Sequence, residues 1–560
     1  MMQTRVIPPA EGAYQYPLLI KRLLLSGSRY EKTREIVYRD QLRYTYPTLS
    51  ERIARLANVL TEAGVKAGDT VAVMDWDSHR YLEAMFAIPM IGAVVHTVNV
   101  RLSPEQILFT MNHADDKLVL VNSDFVGLYQ AIAPHLTTVE KTLLLTDGPQ
   151  KTAELPNLVG EYEQLLAAAS PAYDFPDFDE NSVATTFYTT GTTGNPKGVY
   201  FTHRQLVLHT LSLATVTGSV DSTRFMGTND VYMPITPMFH VHAWGVPYVA
   251  TMLGIKQVYP GRYEPDMLVQ LWKTEKVSFS HCVPTILQML LNCKNSQGVD
   301  FKGWKIIIGG SSLNRALYEA AKGHGIQLTA AYGMSETCPL ISAAHINEEL
   351  LAGLEDDRTT YRIKAGVPVP LVEPAIIDAE GNFLPADGET QGELVLRAPW
   401  LTMGYYREPE KGAELWKGGW LHTGDVATLD GNGAIDIRDR IKDVIKTGGE
   451  WVSSLELEDL VSRHAAVREV AVVGIPDAQW GERPFALLVA REGQSVDARG
   501  IKAHLQPFVE LGHINKWAIP SQIAVVSEIP KTSVGKLDKK KIRLDIAQWQ
   551  AENSSVLSSL

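Results

Sequence analysis

The sequence has few cysteines and no long apolar run. Its 560 residues include three cysteines, Cys282, Cys293 and Cys338, which are too few and too scattered for a disulfide framework or a zinc site. The longest apolar stretch, residues 84–95, contains Pro89 and is shorter than the roughly 20 residues that a membrane-spanning helix needs. The N-terminal residues lack the uninterrupted apolar core of a signal peptide. These absences favour a cytoplasmic location and predict no membrane span.

An excess of basic charge is also missing. The formal net charge is −12 and the pI is about 5.7, which argues against a general binder of nucleic acid or anionic membranes. A local cluster of lysines and glycines can still bind a polyanionic substrate. The composition, 45% hydrophobic and 21% charged, is typical of a globular enzyme. Because one hydrophobic core stops growing near roughly 250–300 residues, we expect two or more domains.

Apolar runs of strand length alternate with amphipathic runs of helix length. TVAVM at residues 70–74 predicts a buried strand, and residues 79–93 predict a helix behind it. Similar strand signals recur at residues 118–121, 142–145, 304–308 and 394–396. Continuous apolar strands separated by helices indicate an α/β fold with sheets covered on both faces. Residues 148–179, rich in proline, alanine and acidic residues, are interpreted as a surface excursion.

The composition changes near residue 440. The remaining part is short and lysine-rich at its end, with strand signals at residues 469–474, 485–490 and 522–526. We therefore predict a large N-terminal domain over residues 1–440 and a small C-terminal domain over residues 441–560. The last dozen residues are expected to form a loose tail.

The strongest motif is YTTGTTGNPKGV at residues 188–199. Glycines let backbone N–H groups turn toward phosphate oxygens, threonine hydroxyls add donors, and Lys197 adds positive charge. The spacing departs from the Walker A pattern, because Lys197 follows Pro196 and precedes Gly198. The motif predicts a phosphate-binding loop of another kind, with a flexible surface turn as the alternative.

This loop resembles the signature of the adenylate-forming (AMP-binding) superfamily, which includes acyl-CoA synthetases, adenylation domains of peptide synthetases and luciferases. The resemblance extends in order over nearly the whole chain and is nearest to bacterial medium- and long-chain fatty acyl-CoA synthetases. It implies a large N-terminal domain of covered mixed sheets with a β-subdomain, and a small α+β C-terminal domain joined by a hinge. It also implies ATP and CoA as co-substrates and Mg²⁺ as cofactor. The phosphate-binding residues would then be Thr189, Thr190, Gly191, Thr192, Thr193 and Lys197.

Two further motifs resemble nucleotide-binding segments of the family. YGMSET, at residues 332–337, would place Tyr332 along the adenine with Gly333 and Ser335 beside the nucleotide. Glu336 would hold Mg²⁺ together with Thr189, which suits a hard cation, although such a glutamate taken alone would be a helix cap. In LHTGD, at residues 421–425, the Asp425 carboxylate can accept both ribose hydroxyls. Arg440 would face the same ribose; a solvated charge run is the alternative for that segment.

The C-terminal segment carries the hinge and the last motif. By resemblance, Lys442 is the hinge residue, and Gly448, Gly449 and Trp451 line the pantetheine channel. PKTSVGKL, at residues 530–537, supplies Lys536 as the adenylation lysine. A cation is needed there, because negative charge develops on the α-phosphate oxygens as the carboxylate attacks. The neighbouring lysines at 539–541 are interpreted as a solvated basic patch.

The acyl site is predicted at PITPMFHVHAW, residues 234–244. By resemblance, His240 lies beside the reacting carboxylate and Trp244 borders the acyl tunnel, although a large buried aromatic is core by default. His242 lies two residues further on, so either histidine could instead be a hydrogen-bonded core group, with His240 preferred for the site. Gly309 and Gly310 follow a predicted strand, where ligand crevices form in open α/β sheets, and the family makes adenine and acyl contacts there.

Together these motifs predict an AMP-forming acid–thiol ligase. A carboxylate and MgATP would give an acyl-adenylate and pyrophosphate, and the CoA thiolate would then attack the adenylate. A medium- or long-chain fatty acid is the expected substrate, with methylmercaptopropionate or another short acid as the alternative. Loading of a carrier protein and a luciferase-type oxidation stay open. A nucleotide-binding regulator is disfavoured because Lys197, Glu336, Asp425 and Lys536 are all present. Family analogy allows a homodimer and a peripheral membrane contact.

Overall fold

A computed structural model describes residues 5–30, 32–148, 154–189, 195–219, 225–345, 358–448, 450–533 and 535–552. The helices in these ranges are α1 (Lys21–Tyr30), α2 (Tyr46–Glu62), α3 (His79–Met90), α4 (Pro104–His113), α5 (Val126–Ile132), α6 (Tyr162–Ala168), α7 (His203–Ser219), α8 (Val246–Met252), α9 (Pro265–Glu275), α10 (Pro284–Asn292), α11 (Arg315–Gly323), α12 (Arg358–Ile363), α13 (Pro409–Leu415), α14 (Ser454–Ser462), α15 (Ala498–Glu510) and α16 (Lys539–Glu552).

The strands are β1 (Glu35–Tyr38), β2 (Leu42–Thr45), β3 (Thr70–Met74), β4 (Val94–Thr97), β5 (Asp116–Asn122), β6 (Lys141–Leu145), β7 (Leu158–Glu161), β8 (Val183–Tyr188), β9 (Gly198–Thr202), β10 (Val231–Pro234), β11 (Lys256–Tyr259), β12 (Phe279–Cys282), β13 (Lys305–Ile308), β14 (Gln327–Gly333), β15 (Leu340–Ala343), β16 (Val367–Pro368), β17 (Glu373–Ile377), β18 (Gly392–Arg397), β19 (Leu421–Leu429), β20 (Ile435–Arg440), β21 (Ile445–Thr447), β22 (Glu450–Val452), β23 (Val467–Asp477), β24 (Gly481–Ala490) and β25 (Gln522–Val525).

Two large mixed sheets form the body of the protein. One has the order β7-β6-β5-β3-β4-β8-β9 and the other β16-β15-β14-β13-β12-β10-β11-β1-β2. The central strands pair in parallel, whereas the β8–β9 and β14–β15 pairs are antiparallel. All five residues of β3 and all twelve of α3 are buried, as expected where helices cover both faces of a parallel sheet.

A smaller antiparallel sheet of four strands, β17-β18-β19-β20, adjoins this body. Its apolar side chains join the same large core as those of the seven-stranded sheet, through residues such as Leu394, Leu396 and Leu421. In its β19–β20 pair, Asp425 lies opposite Arg440. The pairing register therefore brings together two residues that the sequence separates by a turn.

The part of the chain after residue 440 forms its own sheet, β22-β21-β24-β23, with β25 added in parallel to β24. Each face of this sheet has its own apolar cluster. One cluster includes Leu457 and Leu505 from α14 and α15, and the other includes Ile542 and Trp549 from α16. The fold is thus α/β with mixed sheets and a separate smaller C-terminal sheet domain, as predicted. The boundary between residues 440 and 441 stays a prediction.

Every strand signal singled out in the sequence overlaps a strand, although residues 304 and 526 lie one position outside β13 and β25, and residues 79–93 contain α3. The interpretation of residues 148–179 as a surface excursion is wrong in part, because β7 and α6 lie within it. β7 pairs with β6 at the edge of its sheet, and its Leu158 and Val159 are each 39% exposed. An edge strand with exposed apolar side chains does not produce the continuous apolar signal of a buried strand.

Among the described residues, no helix combines the length and apolar character needed to cross a membrane.

The ends of the parallel strands β13 and β14 face the C-terminal sheet domain. This edge is where an open α/β sheet binds ligands, and a large cleft lies there.

Candidate active site

A cleft of about 1660 Å³ lies between the body and the C-terminal sheet domain. Its walls come from strands, helices and loops of both the body and the C-terminal domain, so residues far apart in sequence meet there. Twelve residues predicted for the site line it, namely Thr189, Lys197, His240, Gly310, Tyr332, Gly333, Ser335, Glu336, Asp425, Arg440, Lys442 and Lys536. Thr190, Gly191, Thr192, Thr193 and Gly449 lie outside the described residues.

One corner of the cleft is built around the Asp425 carboxylate. The hydroxyl of Tyr332 donates a hydrogen bond of 2.6 Å to Oδ2, and Nε of Arg440 lies 3.3 Å from Oδ1. Burial raises the pKa of Asp425, while the Arg440 cation opposes this shift. The carboxylate is therefore oriented from both sides and can accept hydrogen bonds from a vicinal diol such as a ribose.

In a second corner, the Tyr405 side chain contacts a glutamate through its hydroxyl and a lysine through its ring. Glu336 is 7% exposed and accepts a 2.7 Å hydrogen bond from the hydroxyl of Tyr405. Nζ of Lys197 lies 4.4 Å from the centroid of the same ring. The N–H of Thr189 donates to the carbonyl of Lys197 at 3.0 Å, which continues the β8–β9 ladder. A cation and a carboxylate thus face the cleft together.

Lys536 enters the cleft on a hairpin from the C-terminal domain. In this hairpin the N–H of Thr532 donates to the carbonyl of Lys536 at 2.7 Å. Ser533 contacts the body, because its Oγ accepts a 3.1 Å hydrogen bond from Nδ2 of Asn99 and its carbonyl accepts one of 3.4 Å from Arg101. The docked hairpin therefore depends on contacts between the two domains.

Gly310 lies beside the Lys536 side chain. A Cβ at Gly310 would lie in ordinary contact with Cε of Lys536, at 3.4 Å, and 3.2 Å from Cγ1 of Val283, whereas the φ of +80° there disfavours any other residue. Burial and the nearby Arg440 cation lower the pKa of Lys536 to about 8, whereas Asp425 and Glu336 oppose this shift. An ammonium held between these groups can meet a phosphate without losing much further hydration.

The segment predicted for the acyl site contains a left-handed turn. Residues 241–244 have φ values of 48°, 56°, 48° and 59°, a conformation that costs roughly 1–2 kcal/mol per residue. Nε2 of His242 lies 2.7 Å from Oγ1 of Thr185, and His242 is completely buried. His242 thus holds the turn from the core, whereas His240 lines the cleft. Burial lowers the pKa of His240 to about 3, so its imidazole is neutral near pH 7.

The indole of Trp244 packs against Gly309. A Cβ at Gly309 would lie 3.3 Å from Cη2 of Trp244 and 2.9 Å from the carbonyl oxygen of Ala331, so a larger residue does not fit there. On its other side the indole packs against His281, with ring centroids 5.1 Å apart. Neither Gly309 nor Trp244 lines the cleft itself. The contact of Gly309 with the nucleotide and the place of Trp244 in an acyl tunnel stay predictions.

The segment predicted for the pantetheine channel lies elsewhere. The N–H of Gly448 donates to the carbonyl of Trp480 at 2.9 Å, and Trp451 is 53% exposed. Both residues are absent from the cleft lining in this orientation of the C-terminal domain. Lys442 is exposed at the rim, where its carbonyl accepts a 3.4 Å hydrogen bond from Arg543.

Sequence reasoning missed several residues that organise the cleft. Tyr405 lies in LTMGYY, residues 401–406, a segment without a signal for phosphate chemistry. Asn99 and Arg101 precede α4 and have no local feature that predicts a contact with Ser533. The interpretation of Lys539 as solvated is wrong, because its ammonium lies 2.8 Å from the Glu458 carboxylate and its side chain is only 10% exposed.

The oxygen ligands in the cleft suit Mg²⁺. In the described part of the chain, no group of three or more histidine, cysteine, aspartate or glutamate side chains could hold a metal ion. Glu336 and Thr189 both line the cleft, and their side chains carry a carboxylate and a hydroxyl. Mg²⁺ is commonly held by one or two carboxylates plus waters and substrate phosphates. The residues present therefore fit a magnesium ion that arrives with a nucleotide.

Comparison with known proteins places this cleft in a family. The AMP-binding enzyme family matches residues 26–406, and the AMP-binding enzyme C-terminal domain matches residues 456–536. A long-chain-fatty-acid–CoA ligase of Thermus thermophilus is 39% identical over 504 residues, 90% of each chain. A 3-methylmercaptopropionyl-CoA ligase of Ruegeria pomeroyi is 36% identical over 94% of this chain and 97% of its own.

A solved structure supports the same fold. The anthranilate CoA ligase AuaEII in complex with anthranoyl-AMP superposes with a TM-score of 0.82 at 22% identity, covering 96% of this chain and 99% of the other. The family match spans most of the residues that build the cleft, on both the body and the C-terminal domain. The chain belongs to the AMP-binding enzyme family.

Proposed function

We propose that the protein is an acyl-CoA synthetase, an acid–thiol ligase that uses ATP and forms AMP. The observation that carries this proposal is the meeting of Lys536 with Asp425, Arg440 and Glu336 in one cleft. The charged residues belong to two domains. They meet only when the C-terminal hairpin that carries Lys536 is docked against the body. The relatives named as CoA ligases cover nearly the whole chain and support the same reaction.

In the first half-reaction the acid's carboxylate attacks the α-phosphorus of ATP, and pyrophosphate leaves. Lys197 and Lys536 would bind the phosphates, and the Lys536 ammonium would stabilise the charge that grows on the α-phosphate oxygens. Glu336 and Thr189 would hold Mg²⁺, which when bound neutralises phosphate charge. The Asp425 carboxylate would bind the ribose hydroxyls, and Arg440 would orient that carboxylate.

In the second half-reaction the CoA thiolate attacks the acyl carbonyl, and AMP leaves. We place the domain boundary after residue 440 and the hinge at Lys442, whose exposed position lets the backbone turn with little loss of packing. Gly448 and Trp451, which lie away from the cleft here, would enter it after such a turn. A neutral His240 would contact the acyl carboxylate as a hydrogen-bonding and packing group.

For the acid we propose a medium- or long-chain fatty acid. A long-chain and a medium-chain fatty acid–CoA ligase are 39% and 33% identical to the chain over most of its length. Methylmercaptopropionate is the second candidate, since two relatives named for that acid are 36% and 37% identical. A cytoplasmic location and a homodimer stay predictions.

The test is AMP formation from ATP, Mg²⁺ and CoA with a panel of acids from acetate to palmitate, including methylmercaptopropionate and benzoate. Each acid is assayed with and without CoA. We expect CoA-dependent AMP and thioester formation with the fatty acids. Pyrophosphate release without a thioester would contradict CoA as acceptor and support a carrier protein. No turnover with any acid, together with no ATP binding, would reject the proposal.

A further inference from the structure

Tyr405 lies between two opposite charges of the cleft. Its hydroxyl donates to Oε1 of Glu336 at 2.7 Å, and its ring lies 4.4 Å from Nζ of Lys197, within the range of a cation–π contact. A single side chain therefore touches both Lys197, which the proposed function places on the phosphates, and Glu336, which it places on the metal.

The backbone around Tyr405 forms hydrogen bonds with the backbone of Glu336 and with that of Gly198, the residue after Lys197. On one side, the N–H of Thr402 donates to the carbonyl of Glu336 at 2.9 Å. On the other, the N–H of Tyr406 donates to the carbonyl of Gly198 at 2.8 Å, and Tyr405 forms a β-bridge with Val199. Because Gly198 directly follows Lys197, this segment fixes the distance between the lysine and the glutamate.

A second set of contacts anchors the segment from outside the cleft. The ring of Tyr406 packs against His113, with centroids 5.7 Å apart, and Arg407 forms an ion pair with Asp115. None of these contacts uses the Tyr405 side chain. Replacing that side chain should therefore leave the path of the backbone intact, which makes Tyr405 suitable for substitution.

We propose that Tyr405 is a positioning residue for MgATP. Its ring restrains the flexible Lys197 side chain, and its hydroxyl orients the Glu336 carboxylate as a metal ligand. Both groups then lose less conformational freedom when the nucleotide binds. Without the Tyr405 side chain, neither the Lys197 ammonium nor the Glu336 carboxylate would keep this contact. The proposal rests on the proposed function of Lys197 and Glu336.

Two substitutions separate the two contacts. Tyr405→Phe keeps the ring and removes the hydroxyl, whereas Tyr405→Leu removes both. ATP binding is measured by titration calorimetry in EDTA and again with Mg²⁺. In EDTA, Tyr405→Phe should bind ATP with the affinity of the native protein. The factor by which Mg²⁺ raises the affinity for ATP should be about tenfold smaller in this variant than in the native protein, because a hydrogen bond to a charged group is lost. For Tyr405→Leu we expect weaker binding under both conditions.

Tyr406→Phe is the matched control, because its ring packs against His113 and it lies beside the same strand. It should bind ATP like the native protein with and without Mg²⁺. Thioester formation from supplied acyl-AMP should stay native in Tyr405→Phe, because no outer phosphate or metal takes part. Thermal unfolding of each variant shows whether a loss of binding reflects a loss of fold.

A double-mutant cycle with Glu336→Gln tests whether the hydroxyl acts through the carboxylate. We expect Tyr405→Phe to change the Mg²⁺ gain in the native background and to add little in the Glu336→Gln background. The proposal would be overturned if Mg²⁺ raised the ATP affinity of Tyr405→Phe as much as that of the native protein. It would also be overturned if Tyr405→Phe reduced this effect of Mg²⁺ equally in the native and the Glu336→Gln backgrounds. If instead the native protein showed no ATP binding at all, the proposed function itself would fail, which is a different result.

Discussion

The hydroxyl of Tyr332 donates a 2.6 Å hydrogen bond to Oδ2 of Asp425, and this contact joins two sheets. Tyr332 lies near the end of β14 in the nine-stranded sheet, and Asp425 lies in β19 of the four-stranded sheet. Arg440, opposite Asp425 on β20, lies 3.3 Å from the other carboxylate oxygen. The carboxylate is thus held in one orientation before a nucleotide arrives.

We predict that Asp425→Asn weakens ATP binding by about tenfold or more, because hydrogen bonds to an ionised acceptor are roughly twice as strong as neutral ones. The measurement is the Kd for ATP and for 2′-deoxy-ATP in both proteins. The native protein should prefer ATP, and the variant should lose most of that preference. Asp430→Asn, in an exposed turn, is the control. Equal discrimination in Asp425→Asn and the native protein would contradict a ribose contact.

Replacement of Lys536 should separate the two half-reactions. Lys536→Ala is expected to slow acid-dependent pyrophosphate release by about 10²–10³-fold, the range found when one preorganised group that stabilises a transition state is removed. Thioester formation from supplied acyl-AMP should stay close to native. Lys540→Ala, an exposed lysine four residues on, is the control and should leave both steps unchanged. Similar losses in both half-reactions would argue against a role confined to adenylation.

The pH dependence of adenylation should report the Lys536 ammonium. Burial lowers its pKa to about 8, so the cation is present below that pH and is lost above it. The kcat/KM for MgATP should therefore fall as pH rises above about 8, approaching tenfold per pH unit. In Lys536→Arg the guanidinium stays charged, so the residual activity should lack this falling limb. A native profile that is flat to pH 9.5 would contradict the assignment.

The hinge is tested by restricting the backbone at Lys442. Lys442→Pro fixes φ near −65° and restricts Ile441 as well, which should hinder a turn of the C-terminal domain. We expect pyrophosphate release to stay within about threefold of native while thioester formation falls by more than about tenfold. Lys442→Ala removes only the side chain and should affect both steps far less. A thioester step that survives Lys442→Pro would move the hinge to another residue.

Trp244 is predicted to set which acids fit. Trp244→Ala removes an indole that packs on Gly309 and His281, so the site should accept acids longer by several carbons. The measurement is kcat/KM for saturated acids from four to sixteen carbons, with Trp244→Phe as the control that keeps an aromatic ring. Each methylene gained or lost in an apolar site should change kcat/KM by about threefold or more. An unchanged profile with a lower melting temperature would assign Trp244 to the core.

The strands of the body could be predicted because their signal is local. Buried parallel strands such as TVAVM at residues 70–74 are apolar throughout, and this pattern does not depend on which strand lies alongside. The edge strand β7 was missed because only one of its sides pairs and two of its apolar side chains are exposed. The order of the strands in each sheet could not be predicted from the sequence either, because it depends on contacts between segments that are distant along the chain.

The sequence by itself determined the residue types of the site and their order along the chain. The glycine-threonine loop with its lysine predicts phosphate binding from the residues alone. The glutamate of YGMSET, the aspartate of LHTGD and the lysine of PKTSVGKL extend this to adenylate chemistry through their resemblance to the family, and each is the residue type that metal, ribose or phosphate requires. Only the tertiary structure decided which side chains touch. Tyr405 contacts Glu336 across 69 residues, and Ser533 contacts Asn99 across 434. Such contacts follow from how sheets and domains pack, and no local pattern encodes that packing.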